Sequence, residues 1–278
     1  MNSDARNPVR IAVAQMEIVP GAVDANRRTA LALAGEGIRQ HADIILFPEG
    51  MITGYCNRFE DLAEPADGPT AQAFRSLLEG SNTLVLFGLV ERQDGRCYEA
   101  AVLVGARGIL AHYRKTHLWW AAAGVRNEVE HLTAGDKLVT FDVKGHKCGV
   151  MICYDGDFPE MTRSYANLGC SMLFWMNMRH QRGYDEVKDP AGRNSMIMAV
   201  SCCCGKDEAG DACPGGSNIT DHHARLLAEI WYRQGMIVAD VDPASVPEAR
   251  KANVWYTGRR PDLYVHAPID DPLKGAQP

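Results

Sequence analysis

A cysteine closes the run Lys147-Cys148-Gly149-Val150-Met151-Ile152-Cys153, and Tyr154-Asp155-Gly156-Asp157-Phe158-Pro159-Glu160 follows it. Apolar residues, then small and acidic ones, then Pro-Glu read as strand, sharp turn and helix start. Such a turn lifts a thiol off the strand end into a cleft. Backbone N–H groups near the helix start are then at hand to receive negative charge. The chemistry this serves is nucleophilic attack by sulfur. The ordinary alternative is a thiol packed in the core, a common fate of free cysteine. Two other residues carry the same double reading. Glu49 ends the apolar run 43–48, and the ends of buried strands open into clefts, yet carboxylates are also common loop openers. Lys115 follows a strand and precedes Trp119 and Trp120. Apolar surroundings tune an ammonium there, yet most lysines are ordinary surface charges.

These residues need elements to carry them. The sequence predicts strands over 9–16, 43–48, 83–90, 100–104, 109–113, 138–143, 147–153, 171–177, 194–204, 216–220, 226–231 and 236–241. Helices are expected after Asp24, with Ala30, Leu33, Ala34 and Ile38 at helical spacing, from Pro69 to a stop at Gly80, and over 160–168 with Gly169 as its end. Ala106-Arg107-Gly108 and residues 221–225 read as hairpin turns, and 178–190 as a loop or broken helix. Many strands and few helices suggest mixed sheets inside and helices outside.

The bulk numbers narrow the classes. The 278 residues are 46% hydrophobic, enough for one large domain with an ample core. A net charge of −6 and no basic stripe argue against nucleic acid as a partner. No apolar run is long enough for a membrane span, and residues 1–10 lack the apolar core of a secretory signal. Nine cysteines at irregular spacing fit a reducing compartment, so the expected location is cytoplasmic.

Three separated pieces, Phe47-Pro48-Glu49, Tyr113-Arg114-Lys115-Thr116-His117-Leu118 and Ile152-Cys153-Tyr154-Asp155 with Phe158-Pro159-Glu160, fall into one pattern. Together they resemble the nitrilase superfamily of carbon–nitrogen hydrolases. Gly54-Tyr55, Gly88, Glu91, Gly216-Ser217, Asp221, Ala228-Glu229 and the run 259–264 follow in family order. The resemblance covers about residues 10–264. It implies an α/β fold, a four-layer αββα sandwich, in one domain spanning 1–278. It also implies a homodimer or higher homo-oligomer, with the tail 243–278 at a subunit interface and Trp255, Tyr256 and Tyr264 as packing anchors.

The resemblance further implies a Glu-Lys-Cys set carried by Glu49, Lys115 and Cys153, and no cofactor. A second acid falls on Glu128, seven residues before Gly135 of the turn Ala134-Gly135-Asp136, with Glu130 as a rival. In these roles Cys153 attacks the carbonyl carbon and forms a thioester. Glu49 serves as base, then as acid toward the departing nitrogen. Lys115 and the Tyr154 backbone N–H face the oxyanion, and Glu128 orients Lys115 or the substrate nitrogen. Asn177, Trp119 and Arg179 are the substrate-side candidates. The partner implied is a small-molecule amide, carbamoyl compound or nitrile. Cys153-Tyr154-Asp155 with Phe158-Pro159-Glu160 resembles the branches that cleave amides or carbamoyl groups, whereas nitrile hydrolases tend to follow the cysteine with Trp-Glu. Two departures bear on substrate class: Pro190-Ala191-Gly192-Arg193-Asn194 keeps the family's asparagine without its acid, and Cys202 stands where an asparagine is often found.

Two other classes compete. Cys202-Cys203-Cys204 with Cys213, His222 and His223 invites a zinc reading, but consecutive residues on a strand point to alternate faces and no C-x-x-C pair exists, so no metal is expected. A catalytically silent scaffold is disfavoured by the presence of Glu49, Lys115 and Cys153 together.

Overall fold

A computed structural model describes residues 7–54, 56, 58–120, 127–178 and 183–264. Tyr55, Arg179 and the tail beyond 264, all named above, lie outside the described residues.

The first half of the chain and its last strand build one sheet, and the strands between them build another. β1 (Val9–Glu17) is followed by α1 (Val23–Arg39), β2 (Ile44–Leu46), α2 (Pro69–Leu77), β3 (Leu84–Gln93), β4 (Arg96–Gly105) and β5 (Gly108–Arg114). A short α3 (Glu128–His131) leads to β6 (Thr140–Val143), β7 (His146–Ile152), α4 (Pro159–Asn167), β8 (Met172–Asn177), α5 (Tyr184–Asn194), β9 (Ile197–Lys206), β10 (Ala212–Thr220), β11 (Leu226–Trp231) and β12 (Gly235–Val241). α6 (Val246–Ala252) and α7 (Val254–Thr257) close the described chain.

Strand pairing runs β5-β4-β3-β2-β1-β12 on one side and β6-β7-β8-β9-β10-β11 on the other. The two meet edgewise only at Met16↔Cys203 and Glu17↔Cys204. In each sheet the three consecutive strands β1-β2-β3 or β7-β8-β9 are parallel, joined by crossovers. Parallel strands are buried on both faces, which explains runs such as Ile44-Ile45-Leu46 and Met172–Asn177 with no polar alternation.

The layers follow from which residues share a face. Val9, Ile11, Val13, Ile44, Leu46, Leu86 and Leu103 of the first sheet pack with Val150, Ile152, Phe174, Met176, Ile197 and Ile219 of the second. The alternate positions Ala12, Ala14, Ile45, Phe87 and Val102 turn outward against Ala30, Leu33, Ala71 and Phe74 of α1 and α2. Met151, Leu173, Trp175, Met198 and Val200 turn outward against Met161, Tyr165, Val187 and Ala191 of α4 and α5. The result is helix, sheet, sheet, helix: the αββα sandwich.

Two local expectations are corrected. Where a loop or broken helix was expected up to residue 190, residues 184–194 form one unbroken helix, and Pro190 is accommodated seven residues into it. The strand expected from 194 begins at Ile197, after Ser195 turns the chain at φ 44°. Within the single chain the tail's described part packs through Arg250 and through Tyr256, which lies against the α4/α5 cluster and donates its hydroxyl to the Ala166 carbonyl at 3.4 Å. The buried guanidinium donates to the carbonyls of Asn194, Ala166 and Cys170 at 3.0, 3.2 and 2.8 Å. Trp255 and Tyr264 remain 66% and 52% exposed, so they do not anchor it within the single chain.

Among the described residues no helix is long and apolar enough to cross a membrane. The cysteine triplet alternates as strand geometry requires: Cys202 joins the α4/α5 side and Cys203 the α1/α2 side. Among the described residues no group of three or more metal-ligating side chains converges.

Candidate active site

β7 ends at Ile152, and a 3₁₀ turn over Cys153–Asp157 carries the chain into α4. Cys153 sits at φ 46°, a left-handed conformation that costs a non-glycine residue energy and persists only when its surroundings enforce it. Two contacts enforce it. The Trp175 indole N–H donates to the Cys153 carbonyl at 3.0 Å. Gly156 lies against the same indole, where a Cβ would come within 2.1 Å of the ring. The strand-turn-helix reading of the sequence is therefore what the chain forms, and only 7% of Cys153 is exposed.

Asp155 binds this turn to the segment after β5. Its buried carboxylate accepts the Ile152 N–H (2.9 Å), the Tyr113 hydroxyl (2.7 Å), the Thr116 hydroxyl (2.9 Å) and the His117 N–H (2.9 Å). Burial alone would raise its pKa. The hydrogen bonds from His117, Tyr113 and Ile152 hold it below the ordinary aspartate value instead. The sequence reading had Asp155 in a motif but gave it no task; its role is to fasten the Lys115 segment to the Cys153 turn. Asparagine offers one oxygen where two are used, so Asp155→Asn should destabilise by about 1–3 kcal/mol at pH 7 in urea titrations. Because the folded pKa is depressed, this stabilisation is present above the unfolded value near about 3.9 and is lost as pH falls through the folded value. The gap between wild type and variant should therefore shrink in acid. A pH-independent gap would contradict this.

Lys115 is fully buried directly after β5. Its ammonium donates to Glu49 Oε1 at 2.8 Å and to Glu128 Oε1 at 2.7 Å. The other oxygens are used as well: Glu49 Oε2 accepts the Met178 N–H at 2.9 Å, and Glu128 Oε2 accepts the Trp119 N–H at 2.8 Å. The Glu49 carboxyl also hydrogen-bonds with Cys153. Acid, ammonium and thiol thus meet, although they stand 66 and 38 residues apart along the chain. Glu128 is buried and Glu130 exposed, so the rivalry left open by the sequence goes to Glu128. The turn after it is held tightly: the Gly135 N–H donates to the Lys115 carbonyl at 2.8 Å, and a Cβ on Gly135 would lie 2.3 Å from the Arg114 oxygen.

The electrostatics follow from burying these charges together. Desolvation pulls the Lys115 pKa down, but Glu49, Cys153 and Glu128 more than offset it and hold the ammonium well above its ordinary value. Burial pushes Glu49 up, against the attraction of Lys115 and with the repulsion of Glu128. A carboxyl lifted toward neutrality beside a fixed ammonium and a thiol has the properties of a proton shuttle.

The substrate-side candidates are less gathered. Tyr154 follows Cys153, and its ring meets that of Trp119 edge-on at 5.0 Å; Trp119 is 42% exposed at the rim. Asn177 is buried at the end of β8, in register with Cys202, and its amide finds no hydrogen-bond partner among the described residues. Its neighbour Met178 holds Glu49, but no contact of Asn177 with the three central groups appears. One buried acid was missed: Glu99 of β4, which contacts the backbone beside Glu49. Its signal was legible, an acid inside the otherwise apolar run Cys97-Tyr98-Glu99-Ala100-Ala101-Val102.

Comparison with known proteins agrees with this geometry. Residues 10–251 match the sequence model of the family described as carbon-nitrogen hydrolase. A protein named "Hydrolase in pqqF 5'region" from Pseudomonas protegens is 32% identical over 236 residues, 80% of each chain. An "(R)-stereoselective amidase" from Pseudomonas sp is 29% identical, over 78% of this chain and 80% of that one. The fold superimposes on the CN-hydrolase superfamily protein XC1258 from Xanthomonas campestris with a TM-score of 0.83 at 20% identity, covering 94% of this chain and all of that one.

Proposed function

The chain belongs to the carbon–nitrogen hydrolase family, and from that premise we propose that it hydrolyses small linear amides or N-carbamoyl compounds through a thioester on Cys153. The observation that carries this reading is the Lys115 ammonium held between two buried carboxylates, one of which hydrogen-bonds the thiol. An amide is a poor electrophile with a poor leaving group, so the covalent route divides one hard step into two easier ones.

In this reading Glu49 takes the thiol proton as sulfur attacks, and the carbonyl oxygen gathers charge against Lys115 and the Tyr154 N–H. Glu49 then passes the proton to the departing nitrogen, ammonia or an amine. Water enters, Glu49 removes its proton, and the thioester is cleaved to the acid. Glu128 keeps Lys115 protonated and aimed. Trp119, at the rim beside Tyr154, and Asn177 line the way to the thiol. Arg179 is the proposed carboxylate anchor. The enzyme acts as a homodimer or larger assembly in the cytoplasm.

Support for an amide over a nitrile comes from the Cys153-Tyr154-Asp155 and Phe158-Pro159-Glu160 pattern, together with the amidase name of the Pseudomonas relative. The test is a panel of primary amides, N-carbamoyl amino acids and amines, and nitriles, assayed for ammonia release with intact-mass detection of the acylated protein. Turnover is expected with amides or carbamoyl compounds, accompanied by an acyl adduct on Cys153. Turnover confined to nitriles would overturn the substrate class.

A further inference from the structure

The reading above gives a task to two glutamates, yet a third, Glu99, is buried with them near Lys115. Glu99 is 1% exposed on β4, and the charged groups that act on it most strongly are Glu49, Lys115 and Glu128. Its side chain and its backbone reach in two directions. The Oε1 atom accepts the N–H of Gly50, the residue directly after Glu49, at 3.0 Å. Its carbonyl oxygen accepts the N–H of Lys115 at 2.8 Å. One residue therefore ties the turn that carries Glu49 to the strand end that carries Lys115. These two segments are otherwise joined at this point by the ion pair itself.

The charges add a constraint. One ammonium faces Glu49, Glu99 and Glu128, so three ionised carboxylates would leave two uncompensated negative charges in a dry site. Glu99 differs from the other two in receiving no hydrogen bond from Lys115. Burial pushes it well above the ordinary glutamate range, and the field of Glu49 adds to this. On the opposite face of the sheet, Glu91 of β3 takes up Arg114 and His112 of β5.

We propose that Glu99 is a positioning residue of this active site, holding the Glu49 turn and the Lys115 strand end in register as an uncharged acid. The proposal rests on the catalytic reading of Glu49, Lys115 and Cys153. It goes beyond that reading in giving the third acid a task that needs its oxygen but not its charge.

The groups that face Glu99 are Glu49 after β2, Lys115 after β5, Glu128 on α3 and, through Glu49, Cys153 after β7. An ionised Glu99 would add negative charge among them and oppose formation of the Cys153 thiolate, whereas an uncharged one does not. Glutamine keeps the oxygen that Gly50 needs and cannot ionise. Alanine loses both, and aspartate is too short to span the gap.

The test has two arms. The first measures kcat and KM for the best amide of the substrate panel in wild type, Glu99→Ala, Glu99→Asp and Glu99→Gln. Small misplacement of catalytic groups costs up to about a hundredfold in rate. Glu99→Ala and Glu99→Asp should therefore lose about 10- to 100-fold in kcat with KM within about twofold, and Glu99→Gln should restore kcat to within about threefold of wild type. The second arm follows iodoacetamide alkylation of Cys153 against pH by peptide mass mapping. Here Glu99→Gln should leave the midpoint where wild type has it, because no charge is lost, whereas Glu99→Ala should shift it by releasing the Glu49 carboxyl that hydrogen-bonds the thiol. An alanine variant within about twofold of wild type in kcat would overturn the proposal. So would a glutamine variant as impaired as alanine, an alkylation midpoint that glutamine moves to lower pH, or one that alanine leaves unmoved. Should wild type hydrolyse no amide or carbamoyl compound, the catalytic reading fails on its own evidence, and the alkylation arm still decides the role of Glu99.

Discussion

Replacing Cys153 by alanine is expected to abolish ammonia release from every amide that wild type hydrolyses, while the protein stays folded. The thiol is the only group at the site able to form the proposed covalent intermediate, since Glu49 and Glu128 are both committed to Lys115. Its removal should take with it the acyl adduct seen by mass. The structure explains why the fold should survive. The turn is held by backbone and indole contacts, through the Cys153 carbonyl, the Ile152 N–H and Gly156 against Trp175, and none of these uses the sulfur. The stability cost should stay within about 1 kcal/mol, the centre of the range for point substitutions. Near-normal hydrolysis by this variant would remove the nucleophile from the proposal.

Lys115→Ala should be costly twice over. Losing one preorganised donor to an oxyanion typically lowers kcat by about 10²–10³-fold, and that loss is expected here. The second cost is structural, because the ammonium is the shared partner of two buried carboxylates. Breaking a buried pair by removing one member costs about 3–5 kcal/mol. Part of that is recoverable here, as Glu49 is already shifted toward its protonated form and can neutralise itself. Chemical denaturation and kcat per active site, taken from the same preparation, separate the two effects. A rate loss below about tenfold would mean that Lys115 does not face the oxyanion.

How much of this was legible beforehand depended on what each residue's neighbours in sequence could reveal. The strand ends were legible, because an apolar run that stops at Glu49 or Cys153 announces a buried strand meeting a cleft. Glu128 was reached only through the resemblance, by its spacing to Gly135, and both positions touch Lys115: the acid takes its ammonium and the glycine N–H its carbonyl. Glu99 and the task of Asp155 were not found, because both act through backbone groups of segments 38–49 residues away. A hydrogen bond to another segment's N–H leaves no mark on that segment's sequence. The α5 helix was legible only as a loop or broken helix because Pro190 counts as a breaker, whereas packing of Val187 and Ala191 against the second sheet outweighs that local penalty.

The division of the chain into two sheets has a consequence for how this protein could fail. The acid and the ammonium ride on one leaf of the sandwich and the thiol on the other, and Asp155 is the rivet between them. Catalytic competence is thus a property of how the leaves are docked, not of either leaf. Loosening that seam by a fraction of an ångström would leave the circular dichroism of an intact protein and the activity of an inactive one.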